Sequence, residues 1–165
     1  MRILVISDSH TTDPNQSLFL KLDKEIKKND CCIHAGDFTA YLVYGELSKK
    51  IKTYAVAGNM DDEVILQKLP QKKIFKLSNF TFALTHGSGT SRTMEQYVRH
   101  QFQKDFEKID IFIYGHSHQA TNYKIDNKIY FNPGSVGDTI TAPEKTYGII
   151  EIKNGRLNRS IKRIG

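Results

Sequence analysis

The stretch from Thr121 to Ser135, TNYKIDNKIYFNPGS, decides the fold. Two runs that alternate apolar and polar residues flank Asp126-Asn127, the signature of two antiparallel strands joined by a tight turn. A second such stretch, KTYGIIEIKNGRLNRSIKRI, turns at Asn154-Gly155. The last third of the chain is therefore mostly strand.

The first two-thirds reads differently. RILVI (2–6) is a short apolar run that fits a strand buried on both faces. SLFLKLDKEIKK (17–28) has helical spacing, with Leu18, Leu22 and Ile26 on one side. CCIHAGD reads as a strand ending in Gly36-Asp37, and YLVYGELSKKI as a helix in spite of Gly45. KTYAVAGNMDD is a strand ending in Gly58-Asn59, followed by a linking piece. KKIFKLSNFTFALTHGSG gives two strands with a turn at Ser78-Asn79. Thr93 to Lys108 reads as a helix with Met94, Tyr97, Phe102 and Phe106 roughly on one side, and DIFIYGHSH as a strand. Alternating strands and helices followed by hairpins are too varied for one doubly wound sheet. Two packed mixed sheets with helices outside, an α/β arrangement, fit better. No repeat, low-complexity tract or linker divides residues 1–165, so one domain is expected.

Composition narrows the class. With 39% hydrophobic and 25% charged residues, the chain reads as an ordinary globular protein. No segment approaches the ~20 apolar residues of a membrane span. The apolar run in MRILVISDSH is shorter than a signal-peptide core, so a cytoplasmic protein is expected. The net charge of +6 favours anionic partners. Much of it falls in helix faces such as KLDKEIKKND, and no basic stripe with interleaved aromatics is visible, so nucleic acid is not the favoured partner. Cys31 and Cys32 are adjacent. Neighbours on a strand point to opposite faces, so they read as two small buried residues and not as a disulfide or a metal pair.

Five apolar strands finish in polar clusters: Asp8-Ser9-His10, Gly36-Asp37, Gly58-Asn59, His86-Gly87 and Gly115-His116-Ser117-His118. The carboxyl ends of strands are where α/β sheets place their sites. Asp8 and His10 are two apart, as are His116 and His118, so on an extended backbone each pair faces one side. The seven candidates, Asp8, His10, Asp37, Asn59, His86, His116 and His118, are oxygen and nitrogen donors without thiolate. They are too many for one four-coordinate structural zinc and suit Mn²⁺, Fe²⁺, Ni²⁺ or Zn²⁺. They fit two ions sharing a bridging carboxylate. Two dications against Asp8 and Asp37 leave a surplus of positive charge that would hold a hydroxide and a phosphoryl group.

The blocks DSH, HAGD, AGNMDD, THGSG, GHSH and NPGS, in this order, resemble the calcineurin-like metallophosphoesterases, and most of all their small single-domain bacterial and archaeal phosphodiesterases. The resemblance implies a four-layer αββα sandwich of two mixed β-sheets flanked by helices. It implies one metal held by Asp8, His10, Asp37 and His118 and another held by Asp37, Asn59, His86 and His116, with Mn²⁺ the first choice. It implies a phosphodiesterase in which a metal-bound hydroxide attacks phosphorus and Asn59 also contacts a phosphoryl oxygen. Many members carry a histidine after the G-N pair to protonate the leaving group. Here Met60 stands there, and Asp61 is the nearby group expected to point into the site. The alternative is a catalytically weak binding scaffold, as one relative of this fold is in a membrane-coat complex. A homodimer is also compatible with the exposed hairpins.

Other conspicuous residues read as structural. His34 is expected to make a buried hydrogen bond that orients Asp37, and His100 to lie on a helix surface. GSGTS (87–91) lacks the Lys-Ser/Thr ending of a P-loop and reads as a turn. NPGS (132–135) is a turn packed near the site, and Asp13 and Asp138 are surface loop residues.

Overall fold

A computed structural model describes residues 1–14, 17–89, 93–137, 142 and 144–165, with the side chains of 17–19 left aside. Asp138 and parts of the loops 11–16, 87–91 and 139–145 lie outside the described residues. The elements are β1 (Arg2–Ile6), α1 (Ser17–Lys28), β2 (Cys31–His34), α2 (Tyr41–Lys50), β3 (Thr53–Ala55), α3 (Glu63–Lys68), β4 (Lys72–Leu77), β5 (Phe80–Thr85), α4 (Met94–Gln101), β6 (Ile111–Ile113), β7 (Thr121–Ile125), β8 (Lys128–Asn132), β9 (Thr146–Lys153) and β10 (Arg156–Arg163).

They form two five-stranded sheets, ordered β10-β9-β1-β2-β3 and β4-β5-β6-β8-β7. Strands β1, β2 and β3 run parallel, as do β5, β6 and β8, while β9, β10, β4 and β7 add antiparallel neighbours. Both sheets are thus mixed. The two expected hairpins are β7–β8 and β9–β10. Asp126 and Asn127 have φ of 48° and 63°, and Asn154 and Gly155 of 52° and 72°, the pair of left-handed residues that a tight two-residue hairpin turn requires.

Strand alternation builds four layers. Ile3, Val5, Cys31 and Ile33 face the space between the sheets, where Phe82, Leu84, Ile111, Ile113 and Phe131 meet them. Leu4, Ile6 and Cys32 face the other way and pack on Leu22 and Ile26 of α1 and Val43 and Leu47 of α2. Ala83, Phe112 and Tyr130 turn outward from the second sheet onto Met94 and Val98 of α4. The αββα sandwich follows from this period of two. The two cysteines part to opposite faces as expected, and both are free and buried.

Two expectations need correction. The helix expected over 93–108 ends at Gln101, and a single 3₁₀ turn covers Phe106–Lys108. Phe102 leaves helical geometry at φ −114°, ψ 17°. It is buried, and Phe106 stacks on Phe112 at 5.4 Å, so bending lets both aromatics cover one ring. Lys72 Nζ takes up the freed Gln101 carbonyl at 2.8 Å. The linking piece contains a short helix, α3. Asp62 caps it by accepting the Ile65 amide at 2.8 Å and also accepts the Tyr41 amide at the start of α2.

Candidate metal centre

The parallel strands of both sheets end at the same edge of the sandwich. The loops after β1, β2, β3, β5 and β6 meet there, bonded backbone to backbone. Asp8 N donates to Gly36 O, His10 N to Asp37 O and Gly115 N to His86 O, at 2.9–3.1 Å. The structure brings all seven candidate residues into this one place.

They fall into two adjoining groups. In the first, His118 Nε2 lies 3.1 Å from Asp8 Oδ1 and 3.1 Å from His10 Nε2. In the second, Asn59 Oδ1 lies 3.1 Å from His86 Nε2 and 3.0 Å from His116 Nδ1. Asp37 Oδ2 stands between them, 3.8 Å from His10 Nε2 and 3.2 Å from His86 Nε2. Donor atoms of Asp8, His10 and His118 lie within 4.8 Å of one another, as do those of Asp8, Asp37 and His86. Asp8 therefore also reaches towards the second group.

The donor set fits divalent cations. Asp8 Oδ1 is buried and accepts no hydrogen bond, a costly state for a carboxylate oxygen unless a cation faces it. His86 Nδ1 donates to the Ala35 carbonyl at 2.8 Å, which leaves Nε2 to face the site as a lone-pair donor. Burial works against the ionised form of Asp37, but the hydrogen bond and charge of His86 and the Met60 amide hold its carboxyl below the ordinary value. Burial works to lower His86, but Asp37 and Asp8 hold it above the usual histidine range. For His116, burial and the neighbouring His86 charge push it down.

Extended-strand alternation does not bring the paired donors together. Strands β1 and β6 end at Ile6 and Ile113. Asp8, His10, Asp37, His116 and His118 all have left-handed backbones, with φ of 56°, 43°, 57°, 65° and 54°. Asp and His tolerate this region better than most residues, yet each such residue costs about 1–2 kcal/mol. Around the site this strain falls on five of the seven donor-carrying residues and on Thr39 beside them, at φ 83°. Close approach supplies the rest: a Cβ on Gly58 would overlap the Asp37 carboxylate and come within 2.5 Å of its amide N.

Asp61 does not point into the site. Its Oδ1 accepts the Thr39 amide at 2.8 Å, and its Oδ2 accepts those of Gly58 at 2.7 Å and Asp37 at 3.2 Å. It clamps the two loops that carry Asp37 and Asn59. Burial, against the Gly58 and Thr39 amides, raises its carboxyl above the ordinary value. Met60 is 58% exposed, and only its backbone amide serves the site, donating to Asp37 Oδ1 at 2.8 Å.

His34 makes the expected buried bonds. Its Nδ1 accepts the Gly36 amide, so Nε2 donates to Ser9 Oγ at 3.3 Å, and Ser9 passes on to the Asp37 carbonyl. Burial, aided by the His86 charge, keeps it neutral, well below the usual histidine range. The turn after β8 holds the GHSH loop: Asn132 Nδ2 donates to Gly115 O at 2.9 Å and Ser117 Oγ at 3.0 Å. Its Oδ1 accepts the Gly134 amide, and Ser135 Oγ donates to Asp8 O. His100 is exposed on α4 and Asp13 is exposed, as expected. A cleft beside Asn59 and His86, formed with Leu66, Gln71, Thr85 and Tyr97, had no sequence motif to announce it.

Residues 1–155 match the family model of the calcineurin-like phosphoesterase superfamily domain. A probable metallophosphoesterase of Methanothermobacter thermautotrophicus is 28% identical over 168 residues, covering 100% of this chain and 94% of the relative. A phosphodiesterase of Methanocaldococcus jannaschii is 25% identical over 163 residues, covering 92% of this chain and 93% of its own. Vps29 of Chaetomium thermophilum superposes with a TM-score of 0.76 over 99% of this chain and 96% of its own. At 19% identity that likeness speaks to the fold alone.

Proposed function

Since the chain belongs to the calcineurin-like phosphoesterase superfamily, we propose that it is a dimetal-dependent phosphoesterase, and specifically a phosphodiesterase. The observation that carries this reading is the convergence of seven oxygen and nitrogen donors into two groups with Asp37 Oδ2 between them. In this reading Asp8, His10, Asp37 and His118 hold one divalent cation, and Asp37, Asn59, His86 and His116 hold the other. Mn²⁺ suits the donor set, as do Ni²⁺, Fe²⁺ and Zn²⁺. Such a pair supplies a nucleophile from water near neutral pH and neutralises charge on the phosphoryl oxygens.

The chain's own residues do the positioning. The Met60 amide fixes Asp37 Oδ1, which leaves Oδ2 for the space between the groups. The Ala35 carbonyl fixes the His86 ring. Asn59 presents its carbonyl to the second group, and its amide is the group assigned to a phosphoryl oxygen. Donors fixed before the reaction need no reorganisation as charge develops. With Met60 and Asp61 unable to deliver a proton, good leaving groups such as aryl alcohols are preferred. The name of the M. jannaschii relative favours diesters over monoesters. A scaffold of the same fold would have no use for seven converging donors and the strained loops that hold them.

The test is hydrolysis of bis-p-nitrophenyl phosphate and p-nitrophenyl phosphate by metal-stripped protein, with Mn²⁺, Ni²⁺, Zn²⁺ or Mg²⁺ returned. Metal-dependent release that favours the diester and vanishes in Asp37→Ala is the expected result. No release with any metal by protein that binds two ions would support the scaffold.

A further inference from the structure

The cleft beside the second donor group has a chemical character of its own. It encloses about 280 Å³ and shares Asn59 and His86 with the site, so a group bound at those donors continues directly into it. Leu66 and Tyr97 form apolar parts of its lining, and the exposed Gln71 offers an uncharged hydrogen-bonding amide, while the buried Thr85 hydroxyl donates to the Gln71 carbonyl. Leu66 is 49% exposed, although its neighbour Ile65 on α3 is fully buried. Among the described residues, no Lys, Arg, Asp or Glu lines the cleft, in a chain with 24 Lys and Arg and 18 Asp and Glu.

We infer that this cleft binds one arm of the substrate, and that the arm is an uncharged planar ring with a polar edge. This rests on the reading of the site as a phosphodiesterase centre. The volume lies just below the ~300–1,000 Å³ of sites for drug-sized ligands, enough for a ring and its link to phosphorus but not for a long chain. A ring can lie against Leu66 and Tyr97 and turn its edge to the Gln71 amide. A second phosphate, as in a polynucleotide or polyphosphate, would meet no Lys or Arg among the described lining residues. The preferred substrate is then a small diester, or its aryl analogue, with a ring one linkage away from phosphorus.

The experiment is calorimetric binding of phenylphosphonate and methylphosphonate to Mn²⁺-loaded protein, for the wild type and for Leu66→Ala, Tyr97→Ala and Tyr97→Phe. Both probes place the same anion at the donors and differ only in the arm. The wild type is expected to prefer the phenyl probe by about tenfold, as apolar burial of part of a ring provides. Leu66→Ala and Tyr97→Ala should reduce the preference to about twofold or less, and Tyr97→Phe should keep it. Equal affinity in the wild type, or a preference kept in both alanine variants, overturns the cleft assignment and leaves the phosphodiesterase reading standing. Binding of neither phosphonate would defeat that reading itself and the inference with it.

Discussion

Replacing Asp61 by alanine separates a structural clamp from a proton donor. The substitution leaves three backbone amides, those of Asp37, Thr39 and Gly58, without their acceptor. An orphaned buried donor costs about 1–3 kcal/mol. Three of them give about 3–9 kcal/mol, partly offset because a buried carboxylate that burial already penalises is removed as well. A net loss of about 3–4 kcal/mol is expected, which for a domain of this length lowers Tm by about 6–16 °C. Asp61→Asn should lose roughly half as much, because one amide oxygen can still accept while the NH₂ faces the amides that bonded the other. Urea titration and thermal melting by circular dichroism measure this. Hydrolysis of an alkyl-aryl diester, assayed well below the lowered Tm, measures catalysis. If Asp61→Ala melts within about 1 °C of the wild type yet loses its rate, Asp61 is a proton donor and the clamp argument is wrong.

Met60→His returns an acid to the mouth of the site. It should raise the rate on an alkyl leaving group about tenfold or more and leave p-nitrophenolate release nearly unchanged, as parallel kcat measurements will show. Gly58→Ala forces Asp37 aside, so the variant should bind at least tenfold more weakly to Mn²⁺ by calorimetry. Burial pushes the Cys31 thiol up to about 11, and burial raises Cys32 further. The thiolate is the reactive form. At pH 8 a disulfide reagent should therefore label neither thiol in the native protein and both in denaturant.

The layers were legible because the strands bury both faces. Ile3-Leu4-Val5-Ile6 and Ile111-Phe112-Ile113 are unbroken apolar runs, and Asp126-Asn127 and Asn154-Gly155 are turn pairs with one backbone solution. The seven donors were legible because each follows such a run. The way in which they converge was not. An extended D-x-H would put both side chains on one face, but the left-handed backbones of Asp8, His10, His116 and His118 follow from contacts between loops. Asp61 looked like a site residue because it is acidic and two positions from Asn59. Its role depends on amides 22 and 24 positions away. Helix α3 was missed although Asp62 is a good cap and Pro70 a stop, since six residues give little periodicity to read. The end of α4 does not reach Lys108 as the spacing predicts, because Phe102 and Phe106 keep helical spacing while packing on one ring beyond the α-helix.

The central claim is that the seven donors hold two cations through a shared Asp37. Equilibrium dialysis against Mn²⁺ with elemental analysis tests it directly on the wild type, His118→Ala, His116→Ala and Asp37→Ala. Two equivalents per folded chain are expected in the wild type, about one in each histidine variant, and fewer than one in Asp37→Ala. One equivalent in the wild type, or two retained after loss of Asp37, would contradict it.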